Sequence, residues 1–154
     1  MRRLDWKTVD RCFYLIDTFA GPVREQFSAG EIVSGLKVAE RAIAAGAYVT
    51  DLDRVRANYS EWPNIKIIQG AVPGVLRTLR MERVAFLHLD MNCAYPEREA
   101  LEHFWKTLTP GGVVLLDDYA YFGNENLAEA IDAAALSLGA EILSLPTGQG
   151  LIIK

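Results

Sequence analysis

Several features are scarce or absent in this 154-residue chain, and each absence excludes a class of protein. There are only two cysteines, Cys12 and Cys93, and no CxxC pair or Cys/His spacing, which argues against a disulfide scaffold and a zinc site. So few cysteines indicate a reducing compartment, so we expect a cytoplasmic protein. No apolar run reaches the roughly 18 residues of a membrane span, and the charged N-terminus has no apolar segment behind it, unlike a signal peptide.

Positive charge is also scarce, because 16 Lys and Arg stand against 20 Asp and Glu, for a net charge of -4. Affinity for duplex nucleic acid or for an anionic membrane rests mostly on Lys and Arg, so neither is expected as a partner. Hydrophobic residues make up 51% of the chain, as in ordinary globular proteins. No repeat, low-complexity stretch or linker divides it, and residues 1–154 are interpreted as a single domain.

Short apolar runs alternate with helical segments along the chain. The runs that predict buried strands are Phe13–Ile16, Ile65–Ile68, Val84–Leu89 and Val113–Leu116. Helices are predicted over 33–45, 51–59, 96–108 and 127–138, with a short one at 75–79. Two further runs, at 142–145 and 151–153, are joined by a Gly- and Pro-containing turn and predict a hairpin. This order predicts an α/β fold with a doubly wound, mostly parallel sheet and an antiparallel C-terminal hairpin.

The helix predicted over Pro96–Leu108 has the clearest pattern. Pro96 suits the first turn, where its missing N–H costs nothing, and Glu97 is placed near the positive end of the helix dipole. One apolar face is formed by Ala100, Leu101, Phe104, Trp105 and Leu108.

Acidic residues follow three of the predicted strands. Asp17 follows the first strand, Asp90 the third, and Asp117 with Asp118 the fourth. Ligands of such sheets bind beyond the carboxyl ends of the strands, and neighbouring third and fourth strands would bring Asp90 near the other pair. Three converging carboxylates favour a hard cation such as Mg²⁺, Ca²⁺ or Mn²⁺. The alternative is that these are solvated loop acids and a helix cap.

Two further side chains each have a functional and an ordinary interpretation. Asp17 either accepts hydrogen bonds from the ribose hydroxyls of a nucleotide or closes a turn by accepting from the backbone N–H of Phe19. His88 lies two residues before Asp90 and either shares its face or, in the favoured interpretation, is a core histidine.

The loops near the predicted sheet end carry less specific signals. Tyr119, Tyr121 and Phe122 either line a pocket or cover the sheet end. The segment Pro146–Gly150 lacks the Lys and the following helix of a P-loop, and is interpreted as a hairpin turn. No Ser/His/Asp or Cys/His triad is argued from the sequence.

Three blocks of the sequence resemble the macrocin O-methyltransferase family of class I S-adenosylmethionine-dependent methyltransferases. The blocks are Asp17-Thr18-Phe19-x-Gly21, Leu89-Asp90 and Gly111-Gly112-Val113-Val114-Leu115-Leu116-Asp117-Asp118-Tyr119. The resemblance covers nearly all of the chain and implies a Rossmann-like methyltransferase sheet. It also implies methyl transfer from S-adenosylmethionine to a small-molecule hydroxyl acceptor, such as a sugar or a natural product.

The resemblance assigns roles to individual residues. Mg²⁺ is implied to bind at three carboxylates, those of Asp90, Asp117 and Asp118. The adenosine half of the cofactor is implied to bind at Asp17, Gly70, Ala71 and Val72. Asp90 is the implied catalytic residue, beside a metal that orients the acceptor hydroxyl and lowers its pKa.

The sequence departs from the family's pattern in two places. Where the family often has Asp-x-Asp-x-Tyr, this chain has Asp90-Met91-Asn92-Cys93-Ala94, which lacks one charge and the Tyr. Before Phe13 there is no strand followed by the Gly-rich turn that approaches the methionine part of the cofactor. The chain is therefore interpreted as the C-terminal portion of such an enzyme, truncated at its N-terminus and binding the cofactor weakly or not at all.

The missing strand predicts a gap in the sheet. Direct pairing of the two flanking strands, the segment Leu4–Arg11, or a strand from a second copy would each close it, and a homodimer is favoured because an open edge recruits another chain. The alternative to an enzyme is a non-catalytic remnant of the fold that acts as a binding or dimerisation module.

Overall fold

The computed structural model describes residues 6–154, and of Ser34 it describes the backbone alone. Residues 1–5 lie outside the described residues. They include the first part of the Leu4–Arg11 segment and of the charged N-terminus that was interpreted as unlike a signal peptide. The strands are β1 (Phe13–Asp17), β2 (Ile65–Gln69), β3 (Val84–Leu89), β4 (Leu108–Leu116), β5 (Leu143–Ser144) and β6 (Gly150–Ile153). The α-helices are α1 (Lys37–Ala44), α2 (Leu52–Asn58), α3 (Ala94–Trp105) and α4 (Glu125–Leu138). The predicted α/β fold is confirmed.

The described strands form two sheets. β1 and β2 are parallel, and β3 pairs in parallel with β4, as predicted from the order of the apolar runs. β6 pairs antiparallel with both β4 and β5, so the predicted hairpin closes one edge of the larger sheet. β1 and β3 do not pair in the described structure, so the strands expected to flank the gap do not close it by pairing directly.

Helix α3 ends three residues earlier than predicted. Leu108 was expected on the last helical turn, but it begins β4 and lies opposite Val84 of β3. The Val84 N–H donates to the Thr107 carbonyl at 2.9 Å, which anchors the start of this pairing. Leu108 is still buried, but in the sheet, because long-range strand pairing outweighs the local helical pattern.

The core lies between the larger sheet and helices α3 and α4. The sheet contributes the buried side chains of Leu89, Val114, Leu116 and Ile152. The helices contribute those of Ala100, Leu101, Phe104, Leu127, Ile131 and Ala134. Because β3 and β4 are parallel neighbours, their carboxyl ends meet at one edge of this sheet.

Trp105 is partly buried at the end of α3, where it packs against the core. The Lys154 ammonium lies 5.1 Å from the centre of its ring and donates to its backbone carbonyl. We expect Trp105→Ala to lower the free energy of unfolding in urea by about 2 kcal/mol, because a partly buried ring forfeits less burial energy than a fully buried core aromatic. Trp105→Phe keeps an apolar ring and should lose less than half as much. A loss below about 0.5 kcal/mol for Trp105→Ala would contradict the packing.

The cytoplasmic location was predicted from the scarcity of cysteine and from the lack of a membrane-spanning run. Cys12 is exposed and Cys93 is buried, and both are free thiols. None of the helices within residues 6–154 has the length and apolar character that a membrane crossing requires. The cytoplasmic location stays a prediction.

Candidate functional site

The carboxyl ends of β3 and β4 bring two carboxylates and an imidazole together. Ligand atoms of His88, Asp90 and Asp117 all lie within 4.8 Å of one another. Leu89 lies opposite Leu116 in the parallel register, so the aspartates that follow them are neighbours. We call His88, Asp90 and Asp117 the acidic cluster. The expected approach of Asp90 to Asp117 is present, and their role as metal ligands stays a prediction.

Asp118 is not a member of this cluster, but its charge is coupled to it. Burial raises the pKa of Asp118 to about 6, and the charges of Asp90 and Asp117 add to the shift. Burial also raises the pKa of Asp90, with a further contribution from the Asp117 charge. Like charges this close oppose one another's ionisation, which is the electrostatic environment that a divalent cation relieves.

His88 is exposed, so its interpretation as a core histidine is wrong. Its Nε2 lies 3.5 Å from Asp117 Oδ1. Alternate residues of a strand share a face, and Phe86 on the same face is 50% exposed, so the described residues leave that side of β3 uncovered. The two-residue spacing between His88 and Asp90 in the sequence indicated that the imidazole and the carboxylate lie on the same face of the strand.

Glu97 is fully buried beneath the loop that follows Asp90, a role that no pattern in the sequence indicated. Its Oε1 accepts hydrogen bonds from the backbone N–H groups of Met91 at 2.8 Å and Asn92 at 3.0 Å. Its Oε2 has no hydrogen-bond partner among the described residues. Burial raises the pKa of Glu97 to about 7, and the charge of Asp118 adds to the shift. This glutamate therefore supports the loop from inside and is partly protonated at neutral pH.

The same loop has a second internal support and a side-chain contact to Asp90. Glu31 is buried, and its Oε1 accepts from the Ala94 N–H at 2.7 Å, at the start of α3. Asn92, with a left-handed φ of 54°, donates from Nδ2 to Asp90 Oδ1 at 3.2 Å. Asn92 therefore contributes a hydrogen bond to the acidic cluster in place of a further negative charge.

A cavity of about 140 Å³ adjoins the acidic cluster near the ends of β1 and β3. Its lining joins Asp90 to all four residues predicted to bind the cofactor, which are Asp17, Gly70, Ala71 and Val72. Tyr48 also lines it and was not among the candidates. Burial raises the pKa of Tyr48, and the charge of Asp90 adds to the shift. The Tyr48 hydroxyl is therefore electrostatically coupled to the acidic cluster.

Asp17 makes the turn contact that was one of its two interpretations, and its contact with a ribose stays a prediction. Its Oδ1 accepts from the Phe19 N–H at 2.6 Å, which is the expected turn contact, and Phe19 has a left-handed φ of 51°. The carboxylate is nevertheless exposed and lines the cavity. Gly70 donates its N–H to the Asp17 carbonyl at 2.9 Å, and a side chain there would meet Val75 at 2.8 Å. The glycine thus allows close packing at the cavity wall.

The turn between β5 and β6 reaches the acidic cluster. Gln149 donates from Nε2 to Asp117 Oδ1 at 2.8 Å, and Thr147 contacts the Gln149 Oε1 at 3.0 Å. The predicted hairpin turn is confirmed, since β5 and β6 pair. Its contact with Asp117 was not predicted, because nothing local relates residues 32 positions apart.

The aromatic residues after Asp118 do not line the cavity. The Tyr119 hydroxyl donates to Asp132 of α4 at 2.5 Å. Tyr121 is 62% exposed and Phe122 is 96% exposed. These aromatic residues therefore do not belong to the cavity that holds the predicted cofactor-binding residues.

Comparison with known protein families matches residues 6–119 to a family described as a methyltransferase domain. The chain belongs to this methyltransferase family. The match spans the first four strands, the acidic cluster and the whole lining of the cavity.

Individual methyltransferases resemble parts of the chain. Over 79 residues, 49% of the chain, the sequence is 30% identical to the Streptomyces olivaceus 8-demethyl-8-(2,3-dimethoxy-alpha-L-rhamnosyl)-tetracenomycin-C 4'-O-methyltransferase, of which the match covers 30%. The fold is similar to that of the O-methyltransferase NovP, with a TM-score of 0.76, 19% identity, and coverage of 96% of this chain and 61% of NovP. The calicheamicin methyltransferase CalS11 gives a TM-score of 0.65 at 18% identity, with coverage of 93% and 60%. The chain thus spans about three fifths of the length of these solved structures.

Proposed function

We propose that this methyltransferase domain transfers a methyl group from S-adenosylmethionine to a hydroxyl of a small molecule, with a divalent cation at the acidic cluster. One observation carries the proposal: a single cavity joins Asp17 and the Gly70–Val72 segment to Asp90, which is also a member of the cluster. Membership of the macrocin O-methyltransferase family is part of the same proposal. The printed names of the relatives, a rhamnosyl 4'-O-methyltransferase and a TDP-rhamnose 3'-O-methyltransferase, support a sugar hydroxyl as the acceptor.

The cavity residues suit the adenosine half of the cofactor. S-adenosylmethionine supplies a methyl group on a sulfonium sulfur when bound. The exposed carboxylate of Asp17 is suited to accept hydrogen bonds from two ribose hydroxyls. The Gly70–Val72 segment offers backbone groups and an apolar side chain beside it. A cavity of about 140 Å³ is smaller than the roughly 300–1,000 Å³ of pockets that enclose a whole small molecule, so the described residues enclose part of the cofactor.

The acidic cluster suits a divalent cation. The two carboxylates of the cluster are ligands that suit Mg²⁺ or Mn²⁺, whereas its imidazole is a ligand more typical of transition metals. Such a cation supplies Lewis acidity, which lowers the pKa of a coordinated hydroxyl. Of Asp90, Asp117 and Asp118, Asp90 alone lines the cavity, so its carboxylate is the group proposed to lie beside the acceptor hydroxyl and to receive its proton. Glu97 and Asn92 hold Asp90 in place through the loop contacts described above.

The cofactor placement is tested by NMR titration with S-adenosylmethionine. We expect weak binding to this chain, with a Kd of about 0.1–1 mM, because the cavity encloses part of the ligand. Asp17→Asn should weaken it by about tenfold or more, since hydrogen bonds to a charged group contribute about 1.5–3 kcal/mol. The control Asp10→Asn changes another exposed aspartate and should bind as the parent does. Equal affinity of Asp17→Asn and the parent would place the ribose elsewhere.

A second candidate, a binding or dimerisation module without catalysis, is favoured by the sheet edges. β1 pairs only with β2 and β3 only with β4 in the described part of the chain, so each leaves one edge open. Open edges readily pair with another chain. Light scattering after size exclusion tests this candidate, which requires a dimer that persists on dilution and no methyl transfer in the presence of Mg²⁺.

A further inference from the structure

The amide of Gln149 lies against the acidic cluster from the side opposite to the cavity-lining loop of Asp90. Its Nε2 donates to Asp117 Oδ1 at 2.8 Å. The same Asp117 oxygen lies 3.5 Å from His88 Nε2. Both of these nitrogen contacts end on Oδ1, so Oδ2 is the Asp117 oxygen that they leave available.

The position of Gln149 follows from strand register. β6 runs antiparallel to β4 with Gly150 opposite Leu116, so the residue before Gly150 lies beside the residue after Leu116, which is Asp117. The pairing of the two strands therefore makes Gln149 and Asp117 neighbours, and their side chains complete the contact.

The turn that carries Gln149 is itself well constrained. The Leu145 N–H donates to the Gln149 carbonyl at 2.8 Å, and the Ala120 N–H donates to the Gly148 carbonyl at 2.7 Å. Gly148 has a φ of 89°, a conformation that favours glycine. The Thr147 hydroxyl lies 3.0 Å from Gln149 Oε1 and, by donating to it, orients the amide so that the NH₂ group faces Asp117.

We propose that Gln149 is a positioning residue for the cation site: it holds the Asp117 carboxylate in one orientation, with Oδ1 engaged and Oδ2 directed to the cation. This inference rests on the proposed cation site. A neutral amide suits the task, because it donates a hydrogen bond to one carboxylate without adding charge to a group of mutually repelling acids. Lys or Arg at the same place would neutralise Asp117 and compete with a cation.

Mn²⁺ is the probe for this proposal, because its free concentration is measured directly by electron paramagnetic resonance. Gln149→Ala should weaken Mn²⁺ binding by about 10–100-fold, the usual effect of removing a group that orients a metal ligand. Thr147→Val should weaken it less, by about threefold, since the amide keeps its place but loses its orientation. The matched control is Gln69→Ala, which removes a different glutamine hydrogen bond, to the Thr18 carbonyl, and should leave the affinity unchanged.

Melting temperature in EDTA separates positioning from a merely structural role. If Gln149 acts as proposed, Gln149→Ala melts within about 2 °C of the parent without metal. A lower melting temperature with unchanged Mn²⁺ affinity would overturn the proposal and leave the cation site standing. If Gln149→Ala lowers both the melting temperature in EDTA and the Mn²⁺ affinity, Gln149→Asn distinguishes the two roles. The asparagine keeps an amide in the turn, but its side chain is one methylene too short to reach Asp117. The proposal requires that this variant keeps the stability of the parent and loses Mn²⁺ affinity. Absence of Mn²⁺ binding by the parent would overturn the cation site and this inference together.

Discussion

Asp117→Asn is expected to abolish the rise in thermal stability that Mg²⁺ gives the parent protein. At a free Mg²⁺ concentration of about 100 times the Kd, the parent should gain about 2.7 kcal/mol. Losing one anionic ligand should weaken binding by at least about 100-fold, more than the loss of an orienting group. The variant would then gain only about 0.4 kcal/mol at the same concentration. Thermal and urea unfolding with and without Mg²⁺ measure both gains.

The same variant should behave differently without metal. Asp117 contributes to the raised pKa values of Asp90 and Asp118, so its removal relieves repulsion and should leave the metal-free protein as stable as the parent or more so. Glu129→Gln, which changes an exposed acid of α4, is the control and should keep the full response to Mg²⁺. An undiminished Mg²⁺ response in Asp117→Asn would mean that the cation binds elsewhere.

Glu97→Gln is expected to make the protein up to about 3 kcal/mol more stable than the parent near pH 8. The pKa of Glu97 is raised from 4.5 to about 7 in the folded state. The folded state therefore binds the proton more tightly than the unfolded state does. The resulting contribution to the free energy of unfolding is complete below about pH 4.5 and is lost as the pH rises through 7. A shift of this size corresponds to about 3 kcal/mol. Gln has nearly the same shape, accepts from the same N–H groups and does not ionise.

The measurement is urea unfolding of both proteins in EDTA at several values between about pH 5 and pH 8. Asp90 and Asp118 titrate in both proteins, so the difference between the two stability curves reports Glu97 together with its coupling to those two acids. It should be small at the acidic end and grow with pH. Glu102→Gln alters an exposed glutamate on the same helix and should follow the parent. Parallel curves for Glu97→Gln and the parent would show that Glu97 keeps the same charge when the chain unfolds.

Much of the candidate site could be predicted because it depends on local patterns and one rule of sheet geometry. The apolar runs identified the ends of β3 and β4, and parallel pairing then placed Asp90 next to Asp117. A local signal also worked at a helix end: Asp51, where the helix predicted over 51–59 begins, is the N-cap of α2 and accepts from the N–H groups of Asp53 and Arg54. The same reasoning was wrong at the end of α3, where pairing with Val84 draws Leu108 into β4.

Other residues of the site were not accessible to sequence reasoning. The exposure of His88 depends on what packs on one face of β3, and no local pattern contains that information. Glu97 was predicted only to lie in the first helical turn, near the positive end of the dipole, but the chain folds over it and gives its carboxylate two backbone donors. Gln149 reaches Asp117 only because the β4–β6 register makes them neighbours.

The sequence by itself determined the α/β class, the strands, and the convergence of Asp90 and Asp117, because strand periodicity and direction place residues without any knowledge of long-range contacts. Only the tertiary structure decided which polar groups support that pair. Burial of Glu97, exposure of His88 and the contact of Gln149 each depend on segments far apart in the chain. Their energies come from desolvation and from hydrogen bonds that exist only after those segments have packed.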